Sequence, residues 1–483
     1  MKKSLSFKEY LYIASMLFGM FFGAGNLIFP IALGRNAGSN VWAATIGLLI
    51  TGVGLPLLGV AALGISRSNG LFELSGKAGK PYGMFFTCAL YLTIGPFFAI
   101  PRCATTSYTV GFEQILPAGH EKLFLLVFSL LFFAAALFFS LRPGKILTWI
   151  GKILNPCFLV FLGLLIAVAL SSPAAHISEV SPAGDYVTKP FFTGFLEGYN
   201  TMDALASLAF GIVVVNVIKD LGLKEPSDIA KSTVFSGIFS CLIMAVIYIA
   251  VTIVGTQSRG LFAEAENGGV ALAKIARHYL GTAGLIILAA TVTLACLKTA
   301  VGLITSCAET FAGLFKNGPS YKIWAIIFTL VSFGFANLGL SAIIDYAVPV
   351  LMFLYPLTIV LIVLVLFGNF FRNDRYVYGF TIGFTFIGAV YDFFASLARN
   401  FKLTGFKAFL DTIGVALPLS KYGLGWIVPT AVGLAIGLIV YFVRKKKGLV
   451  PAAAIGDNTV TAGEVPEPAA EIATETAAPE ENE

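Results

Sequence analysis

The sequence has 483 residues, of which 57% are hydrophobic and only 12% are charged, and its formal net charge is +6. Soluble domains usually carry about 25% charged residues. With a mean hydropathy of +0.87, this composition excludes a soluble enzyme, a nucleic-acid-binding protein and a disordered scaffold. It predicts an all-α protein that crosses a lipid bilayer many times.

Apolar stretches of about 20 residues, long enough to cross the hydrocarbon core, follow one another along most of the chain. We predict twelve spans; eleven or thirteen stay open, because the ninth is short and residues 398–424 could be re-entrant or interfacial. The predicted spans cover residues 9–34, 41–65, 83–112, 122–141, 145–171, 191–218, 232–256, 279–314, 322–337, 341–368, 376–397 and 425–444. The first span follows a basic N-terminus as a signal peptide would, but no convincing cleavage site follows it, and we expect it to be retained.

The predicted spans divide the connecting segments between the two sides of the membrane. Lys and Arg are about twice as frequent on the side that holds the N-terminus as on the opposite side. The positive-inside rule therefore predicts that both termini lie in the cytoplasm. Residues 451–483 contain eight acidic residues and no Lys or Arg, and their Ala-, Pro-, Glu- and Thr-rich composition is typical of disorder. We expect a transmembrane domain over residues 1–450 and a disordered acidic cytoplasmic tail over 451–483.

The first and sixth predicted spans are interrupted at mid-membrane depth. Residues 23–26 read Gly-Ala-Gly-Asn, and residues 197–203 read Glu-Gly-Tyr-Asn-Thr-Met-Asp, among apolar neighbours. Gly and Asn weaken a helix, and irregular backbone in a membrane is tolerated only where it packs inside protein or lines a cavity. An alternative for the first span is close helix packing through the GxxxG pattern of Gly19 and Gly23. The carboxylates of the sixth span are harder to explain by packing, because each costs at least about 2.5 kcal/mol in hydrocarbon.

Broken spans at corresponding places in two halves are typical of secondary transporters built from inverted repeats. The repeats would cover roughly residues 9–171 and 191–368, with extra helices over 376–444. The sequence contains no GxxxxGK[ST] motif and no nucleophile–base arrangement. We therefore expect neither an ATPase subunit, nor a cofactor, nor enzyme activity.

The eighth span places small, polar and ionisable residues on one helical face, at steps of three and four. They are Thr291, Ala295, Lys298, Gly302, Thr305 and Glu309. Lys298 lies near the middle of the membrane, where it must pair, lose its proton or contact water. It is either a proton carrier or part of a fixed ion pair with a carboxylate such as Asp203 or Glu309.

The third span carries a similar face with Arg102 at its centre. An arginine is effectively always charged, so it cannot reduce the cost of burial by losing a proton. Arg102 could attract a substrate carboxylate, form the salt bridge of a gate, or extend its charged end towards the membrane surface.

Four stretches carry a resemblance to a known family. They are FGMFFGAGNLIFP at 18–30, YLTIGP through IPR at 91–102, GYNTMDALA at 198–206 and TLACL at 293–297. Over essentially residues 5–445, the sequence resembles the bacterial branched-chain amino acid transport system II carriers, the LIVCS family. The resemblance implies a symporter that imports leucine, isoleucine and valine across the cytoplasmic membrane of a bacterium by alternating access, coupled to H⁺ or Na⁺. It also implies the leucine-transporter (APC-type) fold of five-plus-five inverted repeats with broken helices 1 and 6.

The resemblance places the substrate at the two breaks. Backbone N–H groups at residues 23–26, where the second half-helix begins, would bind its carboxylate, and freed carbonyls with polar side chains of the sixth span would accept from its ammonium. The implied substrate-binding residues are Gly23, Ala24, Gly25, Asn26, Gly198, Tyr199, Asn200, Thr201 and Asp203. An apolar pocket separates isoleucine from valine by only about 1–3 kcal/mol per methylene, so shared uptake of the three amino acids is expected.

In related sodium-coupled transporters of this fold, one ion site lies between the first and eighth spans. In this sequence that site would use Gly19, Phe22, Ala295, Lys298 and Thr299. The sequence departs from the pattern at Lys298, where a hydroxyl residue is expected; its ammonium could replace the sodium ion, which favours proton coupling. A second sodium site near Asn26 and Thr201 stays open. Arg102 and Glu309 are the candidates for a gate or a charge pair.

Two other functions stay open. A cation-coupled symporter of another small neutral amino acid or solute would differ in which compounds compete for uptake. A passive channel would conduct without saturation, and its sequence would be expected to show rings of charge along a pore, whereas two broken helices are typical of a carrier.

Overall fold

A computed structural model describes residues 4–23, 25–66, 68–113, 116–117, 119–142, 145–223 and 225–449, with only the backbone for residues 145–157 and 226. Over these residues the chain forms eighteen α-helices, joined by short 3₁₀, π-helical and irregular segments. The helices are α1 (Phe7–Phe21), α2 (Gly25–Ala37), α3 (Val41–Leu49), α4 (Leu55–Ser66), α5 (Leu71–Gly76), α6 (Lys80–Leu92), α7 (Ala99–Gly111), α8 (Glu121–Leu141), α9 (Lys145–Ser171), α10 (Pro190–Glu197), α11 (Asp203–Asp220), α12 (Pro226–Gln257), α13 (Gly268–Leu314), α14 (Tyr321–Ala336), α15 (Leu340–Leu366), α16 (Arg375–Asn400), α17 (Thr404–Gly414) and α18 (Ile427–Lys446). The predicted acidic tail lies outside the described residues.

Each of the twelve predicted spans coincides with one helix or with two consecutive helices, which confirms the all-α, multi-pass class. In the described part of the chain, eight helical segments are long and apolar enough to cross a membrane, or nine if the bent pair formed by α10 and α11 counts as one span. The stretch at 398–424 contains α17, whose 11 residues extend only about 16 Å and cannot cross a bilayer. This helix is almost entirely exposed, as expected for the interfacial alternative.

The first break separates α1 from α2. Helix α1 begins with a capping box, in which Ser6 and Glu9 exchange hydrogen bonds, and it ends at Phe21. Phe22 then takes an extended conformation with φ −74° and ψ 99°, and the helix resumes at Gly25. The interruption lies where the two glycines predicted it.

The second break separates α10 from α11. A 3₁₀ turn, Gly198–Thr201, follows α10, and Met202 adopts the left-handed conformation with φ 62° before α11 begins. The two helices are bent by 43°. A positive φ is uncommon for a non-glycine residue and costs about 1–3 kcal/mol, so the surrounding packing must hold Met202 in place.

Each broken span packs against the span that follows the other break. Helices α1 and α2 lie on α12, whereas α10 and α11 lie on α3 and α4. Glycines permit backbone contact at both interfaces: a Cβ at Gly34 would overlap the Thr252 carbonyl of α12, and a Cβ at Gly194 would overlap the Ala44 carbonyl of α3. The same relation at both breaks is expected of two repeats that pack with inverted topology.

The eighth span is preceded by a helical segment that the sequence did not indicate. The prediction begins the span at residue 279; α13 begins at Gly268 but is interrupted at Gly281, where φ is 64°, so the part before Gly281 is a separate helix joined to the span at a kink. The Asn267 side chain caps this earlier start by accepting from the N–H groups of Gly269 and Val270. The added segment is largely buried and packs on α2, so it is not a separate surface loop.

Candidate functional site

The two breaks are joined by three buried polar side chains. The Asn26 amide nitrogen donates to Asp203 Oδ2 at 2.7 Å and also to the Tyr248 hydroxyl. The Tyr248 hydroxyl in turn donates to Asp203 Oδ2 at 3.0 Å. Asn26 and Asp203 are only 1% and 3% exposed. This trio connects α2, α11 and α12 in the buried interior of the protein.

The Asn26 side chain also organises the first break. Its Oδ1 accepts from the Gly23 N–H at 2.8 Å, and the backbone N–H of Asn26 donates to the Gly23 carbonyl at 3.2 Å. Two of the N–H groups that were predicted to bind the substrate carboxylate, those of Gly23 and Asn26, are therefore already occupied. Ala24 lies outside the described residues.

Arg102 reaches the second break. It is 6% exposed, and its guanidinium donates to the carbonyls of Asn200 at 2.6 Å and Thr201 at 3.4 Å. The same group lies over the ring of Phe29, 5.1 Å from its centroid, and an added Cβ at Gly25 would be 3.0 Å from it. Two carbonyls that were expected to be free for a ligand therefore bind Arg102.

The remaining predicted residues of the sixth span shape the turn. The Thr201 hydroxyl donates to the Gly198 carbonyl at 2.9 Å and accepts from the Asp203 N–H at 3.4 Å. A Cβ at Gly198 would overlap the Thr51 hydroxyl. The close contact between this turn and the segment that joins α3 to α4 therefore requires glycine at position 198. The Tyr199 ring stacks on Tyr355 of α15, with centroids 4.1 Å apart.

The eighth span meets the first break, as the predicted ion site requires. The Thr299 methyl group is 4.0 Å from the position of a Cβ on Gly23, and its hydroxyl donates to the Ala295 carbonyl at 3.1 Å. Phe22 turns its ring onto Phe18, with centroids 4.8 Å apart. Gly19 is half-buried in α1, one turn before the break.

Lys298 is half-buried on α13, and no hydrogen bond or ion pair is found for it in the described part of the chain. The fixed ion pair that the sequence left open is therefore not formed: Asp203 binds Asn26 and Tyr248, and Glu309 is exposed. Arg102 and Glu309 are not paired with each other either, so Glu309 stands apart from this site.

Tyr248 is the one member of the trio that sequence reasoning missed. It is fully buried, and in the sequence it stands in a long apolar run of the seventh span. A single tyrosine in such a run has the same signature as a tyrosine that only fills the core, so no local signal marked it.

Residues 6–444 match the model of a family described as branched-chain amino acid transport protein. The branched-chain amino acid permease BrnQ of Lactobacillus delbrueckii subsp. lactis is 50% identical over 92% of this chain and 100% of its own length. The protein of the same name in Bacillus subtilis is 40% identical over 92% of this chain and 100% of its own.

The fold also resembles a solved transporter. A structure of Mhp1, a nucleobase-cation-symport-1 family transporter, in a closed conformation with bromovinylhydantoin bound, superimposes with a TM-score of 0.59. The match covers 92% of this chain and 94% of Mhp1 at 14% sequence identity, which indicates a shared fold alone. It confirms the predicted leucine-transporter-type architecture.

Proposed function

Since this chain belongs to the branched-chain amino acid transport protein family, we propose that it is a secondary active symporter for leucine, isoleucine and valine. As a member of this family it is a transport protein and not an enzyme. We place it in the cytoplasmic membrane of a bacterium with both termini in the cytoplasm, and we propose that it works by alternating access.

The observation that carries the proposal is the Asn26–Asp203–Tyr248 trio between the breaks. A zwitterionic amino acid needs acceptors for its ammonium and donors for its carboxylate. Asp203 supplies an acceptor, and the half-helix beginning at Gly25 supplies backbone donors. In this structure these groups are hydrogen-bonded to one another, so the substrate would bind by displacing partners that are already in place.

Arg102 offers a further partner for the carboxylate. Its planar guanidinium can bind a carboxylate with two parallel hydrogen bonds. To do so it would release at least the weaker of its two carbonyl contacts, the 3.4 Å bond to Thr201. That exchange would free the second break to bend further, and it links substrate binding to a change in conformation.

We propose that the proton is the coupling ion and that Lys298 carries it. Lys298 is the chain neighbour of Thr299, on the helix that contacts the first break, and the resemblance assigns this region to an ion site in related sodium-coupled transporters. Because no acceptor among the described residues binds it, its charge is not held by an ion pair there and can change during transport. Sodium coupling through Asn26 and Thr201 is the competing hypothesis.

Leucine uptake into proteoliposomes tests the proposal, with a proton gradient and a sodium gradient imposed separately. We expect accumulation under the proton gradient that is lost in Lys298→Thr but kept in Lys316→Thr, whose lysine is exposed just after α13. Accumulation that requires sodium and persists in Lys298→Thr would refute the role of Lys298. Alanine or proline outcompeting leucine would refute the substrate, and the absence of uphill accumulation would refute the symporter.

A further inference from the structure

Basic side chains from three parts of the chain meet where α6 and α16 begin and α18 ends. Helix α18 is held to the start of α16, because Arg444 donates to Asp374 Oδ2 at 2.8 Å and its guanidinium lies over the ring of Tyr376, 4.2 Å from the centroid. The start of α16 lies beside the start of α6, since Arg375 Nη2 is 3.2 Å from the position of a Cβ on Gly79. The basic patch that results comprises Lys80, Arg375, Arg444, Lys445, Lys446 and Lys447.

The basic patch carries far more positive than negative charge. Its residues are exposed apart from Arg444, which is half-buried. Asp374 lies among them, but its carboxylate is bound to Arg444 and the residue is only 9% exposed. Six positive charges against this one negative charge leave a surface that attracts an anionic partner.

Leu449, the last described residue, lies at this patch. After α18, Gly448 turns the chain with φ 70°. The Leu449 N–H then donates to the Arg444 carbonyl at 2.9 Å, and the Arg444 guanidinium donates to the Leu449 carbonyl at 3.3 Å. The first acidic residue that follows, Asp457, comes eight positions after Leu449. Eight residues extend at most about 29 Å, so this acid stays within reach of the patch.

The segment that leaves from this point has the opposite charge. Residues 451–483 carry eight acidic residues and no Lys or Arg. The family match ends at residue 444, and the Lactobacillus relative is matched over 100% of its own length by only 92% of this chain. What the family shares therefore does not explain the acidic residues, and their position beside the basic patch does.

We propose that the acidic segment, residues 451–483, docks on the basic patch of the same chain. Opposite charge selects the partner, and the covalent link raises its local concentration above that of any separate protein. A single exposed ion pair contributes little, so the contact depends on several pairs acting together and weakens as salt is added. The docked segment covers charges that anionic lipid headgroups would otherwise bind.

Cross-linking of the purified full-length protein with a carbodiimide, which joins a carboxylate directly to an amine, tests this proposal. Trypsin then releases residues 448–483 in one piece, because they contain no Lys or Arg, and mass spectrometry identifies the lysine to which the piece is joined. We expect a link to Lys80 that is lost at about 1 M salt, where the screening length falls to about 3 Å. The control amine is Lys407, exposed on α17 at the opposite end of α16, which should not be linked.

Two variants test the charges on each side of the contact. Arg375→Gln should weaken the link to Lys80, whereas Arg399→Gln, at the other end of the same helix, should leave it unchanged. In the second variant, acids of the segment are replaced by Gln at unchanged length, at Glu464, Glu467, Glu471 and Glu475. The acids that remain should then lose their link to Lys80. Thermal unfolding verifies that each variant is folded.

Three results would overturn the docking. The first is equal linkage to Lys80 and Lys407, or a link to Lys80 that survives high salt. The second is a link that forms in phosphatidylcholine nanodiscs and disappears when phosphatidylglycerol is included, which assigns the patch to lipid headgroups. The third, in a mixture of isotope-labelled and unlabelled protein, is a link that joins labelled to unlabelled peptides, which makes a second copy the occupant. These results leave the proposed transport function in place, because the patch does not lie at the breaks.

Discussion

Replacing Tyr248 by Phe removes one hydroxyl from the centre of the protein and leaves the ring in place. That hydroxyl donates to Asp203 Oδ2 at 3.0 Å and accepts from Asn26. A hydrogen bond to an ionised group contributes about 1.5–3 kcal/mol, and about 1.4 kcal/mol corresponds to a factor of ten. If the trio forms the substrate site, Tyr248→Phe should lower leucine uptake at low substrate concentration by roughly 10- to 150-fold.

Tyr378 provides the matched control, because it is another fully buried tyrosine. Its hydroxyl lies 3.0 Å from Asn373 Oδ1 and 3.2 Å from the Leu364 carbonyl, away from both breaks. Uptake into proteoliposomes is measured for both variants together with their thermal unfolding. We expect both to lose some stability and only Tyr248→Phe to lose uptake. Wild-type uptake in Tyr248→Phe, or an equal loss in Tyr378→Phe, would refute the assignment of the trio to the substrate.

Two further predictions concern the backbone contacts around the breaks. Arg102→Lys keeps the charge but not the planar fork that spans the two carbonyls, so leucine uptake should fall about tenfold or more for the loss of one charged hydrogen bond; wild-type uptake would show that a point charge suffices. Gly194→Val places a side chain against the Ala44 carbonyl, an overpacking that costs about 1–3 kcal/mol or more. Its unfolding temperature should drop, whereas Gly379→Val, where open space surrounds the added atoms, should unfold like the wild type.

The breaks could be predicted because their cause is local. Glycine and asparagine disfavour a helix wherever they stand, so both interruptions were visible in the sequence. Asn26 and Asp203 were both selected for being polar at membrane depth, although they are 177 positions apart. The sequence alone did not show that they bind each other, because that contact depends on how α2 and α11 cross.

Other contacts left no signature in the sequence. The acceptors of Arg102 are two main-chain carbonyls, which every residue possesses, so no pattern of side chains indicates them.

Glu309 was associated with the site because it shares a helical face with Lys298. Eleven residues of helix extend about 16 Å, and the shared face therefore runs along the membrane without bringing the two groups together. The sequence places the start of the eighth span at residue 279, and it gave no sign of the helix that precedes the interruption at Gly281.

The tight glycine contacts indicate which parts of the fold can move. Gly34 and Gly255 join α2 to α12 at backbone distance, and Gly47 and Gly194 join α3 to α10 in the same way. The first break is different: a Cβ on Gly23 would meet nothing closer than 3.8 Å, so this turn is not held by a tight glycine contact. Close backbone packing resists sliding, so α2 and α10 move with their partners. Because α1 joins α2 through the extended residue Phe22, we expect any movement within the first span to be hinged at this break, between α1 and the α2–α12 pair.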